Sequence, residues 1–176
     1  MTTTSTAPST GRIATAFLNE LDNEAKVTRT VLERVPADKF DYKPHEKSMT
    51  FGRLASHIAE MFGWTEATLK QDTLDFATMD YKPFEPQTTD DLLQYFDERI
   101  AQARRTIAET SDETFMTNWT MRNGDTVYFT IPKVATLRSF VMNHIIHHRG
   151  QLSVYLRLND IPVPSLYGPS ADEGAM

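Results

Sequence analysis

Several residue types and patterns are missing from this sequence of 176 residues, and each absence excludes a class of chemistry. There is no cysteine, which excludes disulfide bonds, thiolate metal sites, iron–sulfur clusters and a cysteine nucleophile. No apolar run approaches the ~20 residues that cross a bilayer. The net charge is -6, and this acidic balance argues against binding to nucleic acid or to an anionic membrane. A chain without cysteine suits a reducing compartment, so we expect it to be cytoplasmic.

The first ten residues, MTTTSTAPST, are rich in serine and threonine. They have neither the basic start nor the apolar stretch of a signal peptide, and they cannot contribute to a core. We therefore expect a disordered tail over residues 1–10. The remaining residues, 11–176, are long enough to bury an adequate core, and we expect them to form a single domain.

Four segments have apolar residues at helical spacing, which predicts helices at about residues 13–35, 51–70, 89–110 and 133–158. Proline residues, which cannot continue a helix, follow the first segment and precede the last. Four helices of this length predict an all-α fold, a four-helix bundle. The connections are all longer than a minimal hairpin, so spacing alone leaves the topology open.

The segment before the last helix is the one place where the sequence resembles a pair of strands. Residues 118–122 and 125–131 flank Asn123-Gly124, the dipeptide that best tolerates a tight type I′ turn. Two alternatives remain open for this segment of the all-α bundle. It forms either a short hairpin or an irregular crossover.

Three histidines lie on faces that are predicted to point inward. His144 and His148 are four residues apart, about 40° around a helix axis, and two imidazoles at this spacing can chelate one divalent ion. His57 lies between Leu54 and Met61 on the apolar face of the second helix, and it is the candidate third ligand. Three neutral imidazoles suit zinc, nickel, cobalt or iron(II). They would leave positions open for water or substrate, as in catalytic sites.

Other interpretations of these polar residues remain. A single histidine on an apolar face is often a hydrogen-bonded core residue, so the pattern alone also allows a core without metal. There is no HExxH and no Glu-x-x-His, which excludes a zincin and a di-iron carboxylate bundle. Glu60 and Glu24 are candidates for a general base or for a carboxylate that orients a ligand, and the alternative is that they face solvent. His45 falls in a loop, and His147 points toward a neighbouring helix or a dimer partner.

Two segments resemble signatures of the DinB/YfiT-like superfamily. Residues 143–157, NHIIHHRGQLSVYLR, resemble its last helix, and residues 48–60, SMTFGRLASHIAE, resemble the entry to its second helix. The downstream prolines and the Tyr-Gly pair fit the same pattern, and the resemblance covers about residues 11 to 170. The single histidine of the family's second helix and the paired histidines of its last helix correspond to His57, His144 and His148.

This resemblance implies a four-helix bundle of up-down-down-up topology, often a homodimer, with nickel or zinc on the three histidines. Members are described as metal-dependent hydrolases, and related branches are transferases that use an external low-molecular-weight thiol. The resulting prediction is a divalent-metal-dependent enzyme, hydrolase-like or a thiol-dependent transferase, with a small-molecule substrate. The alternative is a non-enzymatic metal-binding or stress-response bundle protein. Neither hypothesis involves nucleic acid or a membrane.

Overall fold

The computed structural model describes residues 11–174. The predicted tail over residues 1–10 lies outside this range. In chain order the helices are α1 (Arg12–Leu32), α2 (Phe51–Lys70), α3 (Thr89–Glu109), α4 (Asp112–Met116), α5 (Lys133–Thr136) and α6 (Asn143–Leu158), and the strands are β1 (Thr73–Asp75), β2 (Asn118–Asn123) and β3 (Thr126–Pro132). A single 3₁₀ turn occupies Ala37–Lys39, and a π-helical segment occupies Leu137–Met142, between α5 and α6.

Local signals define where the long helices begin. The Thr88 hydroxyl accepts from the backbone N–H of Asp91, whose carboxylate accepts from the Thr88 N–H, and this capping box starts α3. Thr50 caps α2 by accepting from Arg53 N–H. The first amides of α1 have no cap of their own and donate to the carboxylate of Asp112, on α4. The apolar faces of α1, α2, α3 and α6 then pack into one core.

The prediction of an all-α fold is wrong, because the structure contains a three-stranded mixed sheet in the order β1-β2-β3. β1 pairs parallel to β2, with Thr73 opposite Thr120, and β2 pairs antiparallel to β3. Of the two alternatives for residues 118–131, the structure has the hairpin, and Gly124 takes the positive φ of 56° that its turn requires. β1 has only three residues and pairs with residues almost fifty positions away, so it has no local sequence signal.

The sheet carries its own small hydrophobic cluster at the side of the helical bundle. Its fully buried residue is Trp119, whose indole N–H donates to the carbonyl oxygen of Ala67 at 3.1 Å. Partly buried side chains from α2 and the π segment, including Trp64 and Phe140, pack against this cluster. The sheet therefore joins the second half of α2 to the π segment.

The last helical region is interrupted by an irregularity that the sequence pattern does not predict. Leu137–Met142 form π-helical turns between α5 and α6, and Met142 and Asn143 keep helical φ and ψ angles across the junction. A π segment changes the angle at which the following side chains leave the helix, and such segments are frequent at functional sites. This one ends two residues before His144.

None of the helices within residues 11–174 has the length and the hydropathy that crossing a bilayer requires.

Candidate metal centre

The packing of α2 against α6 brings the three predicted histidines together. His57 Nε2 lies 3.4 Å from His144 Nε2, and His144 Nε2 lies 2.7 Å from His148 Nε2. One ring nitrogen from each of the three residues lies within 4.8 Å of the other two. All three side chains are partly buried, so the cluster lies at the edge of the core rather than in its centre.

The contacts around the cluster are compatible with a bound cation. Gln151 Oε1 lies 2.7 Å from His148 Nδ1, and because an amide oxygen only accepts, Nδ1 carries the proton. The lone pair of His148 Nε2 therefore points at His144 Nε2. Ligand nitrogens about 2.1 Å from a tetrahedral ion are about 3.4 Å apart, which matches the distance between His57 Nε2 and His144 Nε2. The 2.7 Å between His144 Nε2 and His148 Nε2 is instead a hydrogen-bond distance, so these two rings would have to separate slightly to bind the same ion. The residues present thus fit a divalent ion that accepts nitrogen ligands.

Burial keeps two of these imidazoles in the form that binds metal. Desolvation, together with the neighbouring charges of His148 and His57, lowers the pKa of His144 to about 4. Burial also lowers the pKa of His148, against an opposing contribution from its hydrogen bond to Gln151. Both rings are therefore neutral at pH 7 without any metal, and an ion need not displace a proton from either of them at that pH.

These shifts give the metal-free protein a specific pH dependence. In the unfolded chain an imidazole protonates near pH 6.5, whereas folded His144 protonates only near pH 4. The unfolded state therefore binds more protons between these values, and we expect stability to fall as the pH drops from about 6.5 to 4. Thermal melts of chelator-treated protein over this range measure the loss. A His144→Gln variant should lose less stability over the same interval, and an equal loss would contradict the assignment.

Glu60 is a buried carboxylate next to His57. Only 4% of its side chain is exposed, and its Oε2 lies 3.7 Å from His57 Nδ1. Oε2 also accepts from Arg53 Nη2 at 2.9 Å and from the Tyr81 hydroxyl at 2.5 Å, and Oε1 accepts from the backbone N–H of Phe84 at 2.5 Å. The His57 Nδ1 atom is buried and has no hydrogen-bond partner within 3.5 Å. If the Glu60 and His57 side chains moved slightly closer together, Glu60 Oε2 would become the hydrogen-bond partner of Nδ1.

The electrostatics of this pair favour an ionised Glu60. Burial raises its pKa, but the nearby His57 ring and the hydrogen bonds from Tyr81, Phe84 and Arg53 outweigh burial and lower the pKa to about 2. The same environment has the opposite effect on the phenol, since burial and the bond to Glu60 raise the pKa of Tyr81 to about 12. At neutral pH the site therefore contains a fixed carboxylate and a neutral phenol.

The other candidates from the sequence lie outside this cluster. Glu24 is buried, but it pairs with Arg149, whose Nη2 lies 2.7 Å from its Oε2. His147 is exposed on α6 next to His148. His45 lies in the loop before α2, where its Nδ1 accepts from the backbone N–H of Lys47.

Sequence reasoning missed several residues that surround the histidines. Gln151 follows His148 by three positions, which is a spacing that places both on one helix face. Trp64 follows His57 by seven positions and Phe140 precedes His144 by four, so each shares a face with a histidine. Tyr81 had no such signal, because it lies in the long connection between α2 and α3.

Comparisons with known proteins place the chain among relatives of this architecture. An uncharacterized protein of Bacillus subtilis (strain 168), YrdA, is 26% identical over 168 residues, which cover 90% of each chain. The crystal structure of a DinB-like protein, YjoA, from Bacillus subtilis superposes with a TM-score of 0.66 at 21% identity, covering 85% of this chain and 95% of that one. A DinB-like protein from Bacillus cereus ATCC 10987 gives the same TM-score and identity over 86% and 95% of the two chains.

These two crystal structures show the fold alone, because their identity to this chain is low. The sequence profile of the DinB family is more extensive evidence, since it matches residues 1–175. The resemblance carried by residues 48–60 and 143–157 is thereby confirmed over nearly the whole chain, and the chain belongs to the DinB family.

Proposed function

We propose that this protein is an enzyme that uses a divalent metal held by His57, His144 and His148 to act on a small molecule. The observation that carries the proposal is the convergence of one ring nitrogen from each of three partly buried histidines. Three protein ligands leave coordination positions open, which is typical of catalytic and not of structural sites. A divalent ion there would act as a Lewis acid and activate either water, as in a hydrolase, or an external thiol, as in a transferase.

The protein's own residues would fix the geometry of this site. Gln151 holds the proton of His148 on Nδ1, so that Nε2 faces the cluster. Glu60 is placed to do the same for His57 through its Nδ1. Carboxylate and amide partners of this kind orient metal-binding imidazoles and increase their basicity.

Glu60 fits a positioning role better than that of a general base. A carboxylate with a pKa of about 2 is a weak proton acceptor at neutral pH. Its two oxygens are already occupied by donors from Arg53, Tyr81 and Phe84. Glu24, in its ion pair with Arg149, is not assigned a chemical role.

Removing the charge of Glu60 should weaken metal binding. Glu60→Gln keeps the size of the side chain, but its one amide oxygen can accept only the hydrogen bonds of one carboxylate oxygen, and it cannot stabilise a proton on His57 Nδ1 as a carboxylate does. We expect the zinc affinity to fall about 10-fold to 100-fold, the usual cost of losing such a partner. Competition with a chromophoric chelator measures it. Glu66→Gln on the same helix, where Glu66 pairs with Lys70 at the surface, is the control and should bind zinc as the unchanged protein does.

The function is tested by metal analysis followed by substrate panels. Protein purified without added chelator should contain about one zinc, nickel or similar ion per chain. Loaded protein is then assayed with activated esters and amides, and separately with electrophiles in the presence of glutathione, bacillithiol or mycothiol. Turnover without thiol supports the hydrolase, and turnover only with thiol supports the transferase. Bound metal without activity in either panel would favour the non-enzymatic metal-binding alternative, and the absence of metal binding would overturn the proposal.

The identity of the metal and the oligomeric state of the protein are tested separately. Zinc and nickel both suit three imidazoles, and the metal analysis decides between them. The homodimer and the cytoplasmic location remain predictions. Light scattering tests the dimer against the 20.1 kDa mass of one chain.

A further inference from the structure

Four aromatic side chains form a continuous group beside the histidine cluster, which we call the aromatic wall: Trp64, Phe76, Tyr81 and Phe140. The ring of Trp64 is at its centre, with centroid distances of 5.3 Å to Phe140, 6.4 Å to Phe76 and 6.5 Å to Tyr81. The ring of Phe140 is 5.8 Å from that of His144. The wall therefore extends from the candidate metal centre toward solvent.

Two of the four members of the wall lie on the same helical segments as the histidines. Trp64 is seven residues after His57 on α2, and Phe140 is four residues before His144. At these spacings each aromatic ring lies along its helix from a histidine, on the same side. An apolar layer thus adjoins the layer of imidazoles between the same two helical segments.

The small sheet supports the wall from behind. Trp119, fully buried, has its ring 6.3 Å from Phe140, and Phe129 of β3 lies at the same distance. Trp64 and Phe140 both pack against this cluster. The rings are consequently held by neighbours on one side, and they need no ligand to keep their positions.

The outer part of the wall is exposed to solvent. Phe76 and Tyr81 each leave 41% of their surface accessible. The tyrosine hydroxyl is already bound to Glu60, so it is the ring that remains available. Exposed apolar surface beside a candidate catalytic centre is a common feature of a ligand site.

We propose that the aromatic wall binds a planar, uncharged apolar group of the substrate, such as a phenyl ring, while the reacting atom lies at the histidines. A small-molecule group suits the wall better than a protein partner. An aromatic side chain buries about 150–250 Å², so a few partly exposed rings offer much less than the ~800 Å² that each partner of a stable protein interface contributes. The inference rests on the proposed function, because it locates the substrate relative to the metal.

Two hydroxamates that differ only in their side group test the proposal. Acetohydroxamate and benzohydroxamate both chelate divalent ions, but only the second carries a phenyl ring. Calorimetry with the zinc-loaded protein should show benzohydroxamate binding about tenfold tighter or more, since partial burial of a phenyl group against aromatic faces is worth at least one order of magnitude. The ratio of the two affinities is also measured for zinc in a simple triimidazole chelate. Dividing the protein's ratio by this value removes the intrinsic difference between the two hydroxamates as zinc ligands.

Two variants test whether the aromatic wall causes the preference for benzohydroxamate. Phe76→Ala should reduce the ratio of the two affinities about threefold or more, and because Phe76 is substantially exposed the variant should fold. Leu158→Ala, which removes an exposed apolar side chain from the end of α6, should leave the ratio unchanged. Binding of benzohydroxamate should also change the fluorescence of Trp64, whereas Trp119 is inaccessible to it.

The outcomes separate this inference from the function on which it rests. Equal affinities for the two hydroxamates on zinc-loaded protein would overturn the aromatic wall as a substrate site and leave the metal centre intact. A preference for benzohydroxamate that Phe76→Ala does not change would also overturn it. Failure of the protein to bind zinc at all would overturn the proposed function, and this inference with it.

Discussion

Replacing His144 by alanine is expected to reduce the affinity for zinc or nickel by at least 100-fold. His144 lies between the other two ligands, with its Nε2 at 3.4 Å from that of His57 and 2.7 Å from that of His148. Losing a partner that only orients a ligand costs about 10-fold to 100-fold, and losing the ligand itself should cost more. Equilibrium competition with a chromophoric chelator at pH 7.5 measures the change.

His147 provides a matched control for this experiment. It is on the same helix, adjacent to His148, but it is exposed and does not belong to the three-histidine cluster. His147→Ala should therefore bind metal with the affinity of the unchanged protein. If His144→Ala and His147→Ala bind metal equally well, the metal is held elsewhere and the assignment of the centre is wrong.

The second large effect is expected at Glu24, and it concerns stability. Arg149 on α6 is only 1% exposed, and its guanidinium is paired with the Glu24 carboxylate at 2.7 Å and bonded to Thr28 Oγ1 at 2.9 Å. The hydroxyl of Tyr167 donates to the same carboxylate at 2.6 Å. Glu24→Ala would leave a buried cation without its counter-ion, which costs about 3–5 kcal/mol. For a chain of this size that corresponds to a decrease in Tm of about 10 °C.

A surface ion pair at the C-terminal end of the same helix is the control. Glu33, the residue that follows α1, pairs with Arg29 four residues earlier, and the two side chains are 45% and 40% exposed. Glu33→Ala should cost less than about 1 kcal/mol, because solvent screens exposed pairs. Denaturant unfolding of both variants gives the comparison. A Glu24→Ala variant that is no less stable than Glu33→Ala would show that the buried cluster does not hold α1, α6 and the C-terminal segment together.

The three histidines that cluster in the structure could be selected from the sequence because their signal is local. His144 and His148 are separated by four residues, and a helix places residues at that spacing on one face whatever surrounds it. His57 shares the inward face of its helix with Leu54 and Met61. What the sequence did not contain is the mutual position of the two helices, on which the convergence of the three nitrogens depends.

The roles of the two buried carboxylates could not be distinguished from the local sequence. Glu60 and Glu24 have similar sequence contexts, since each lies near an apolar stripe of a helix. The structure distinguishes them by their partners. Glu60, beside His57, accepts hydrogen bonds from Arg53, Tyr81 and the backbone of Phe84. Glu24 forms an ion pair with Arg149. Tyr81 and Arg149 are distant in sequence from the carboxylates they bind, so no periodicity could reveal these pairs.

The sequence by itself determined the positions of the long helices to within a few residues, the turn residues Asn123-Gly124 and the three histidines that cluster, because caps, turn conformations and helix faces are set by neighbours a few positions apart. Tertiary structure alone decided the sheet, in which the three residues of β1 pair with β2, almost fifty positions later in the chain. It also decided the π segment before His144 and the assembly of the aromatic wall. These features depend on packing between segments remote in sequence, and long-range packing overrides the weak preferences of short segments.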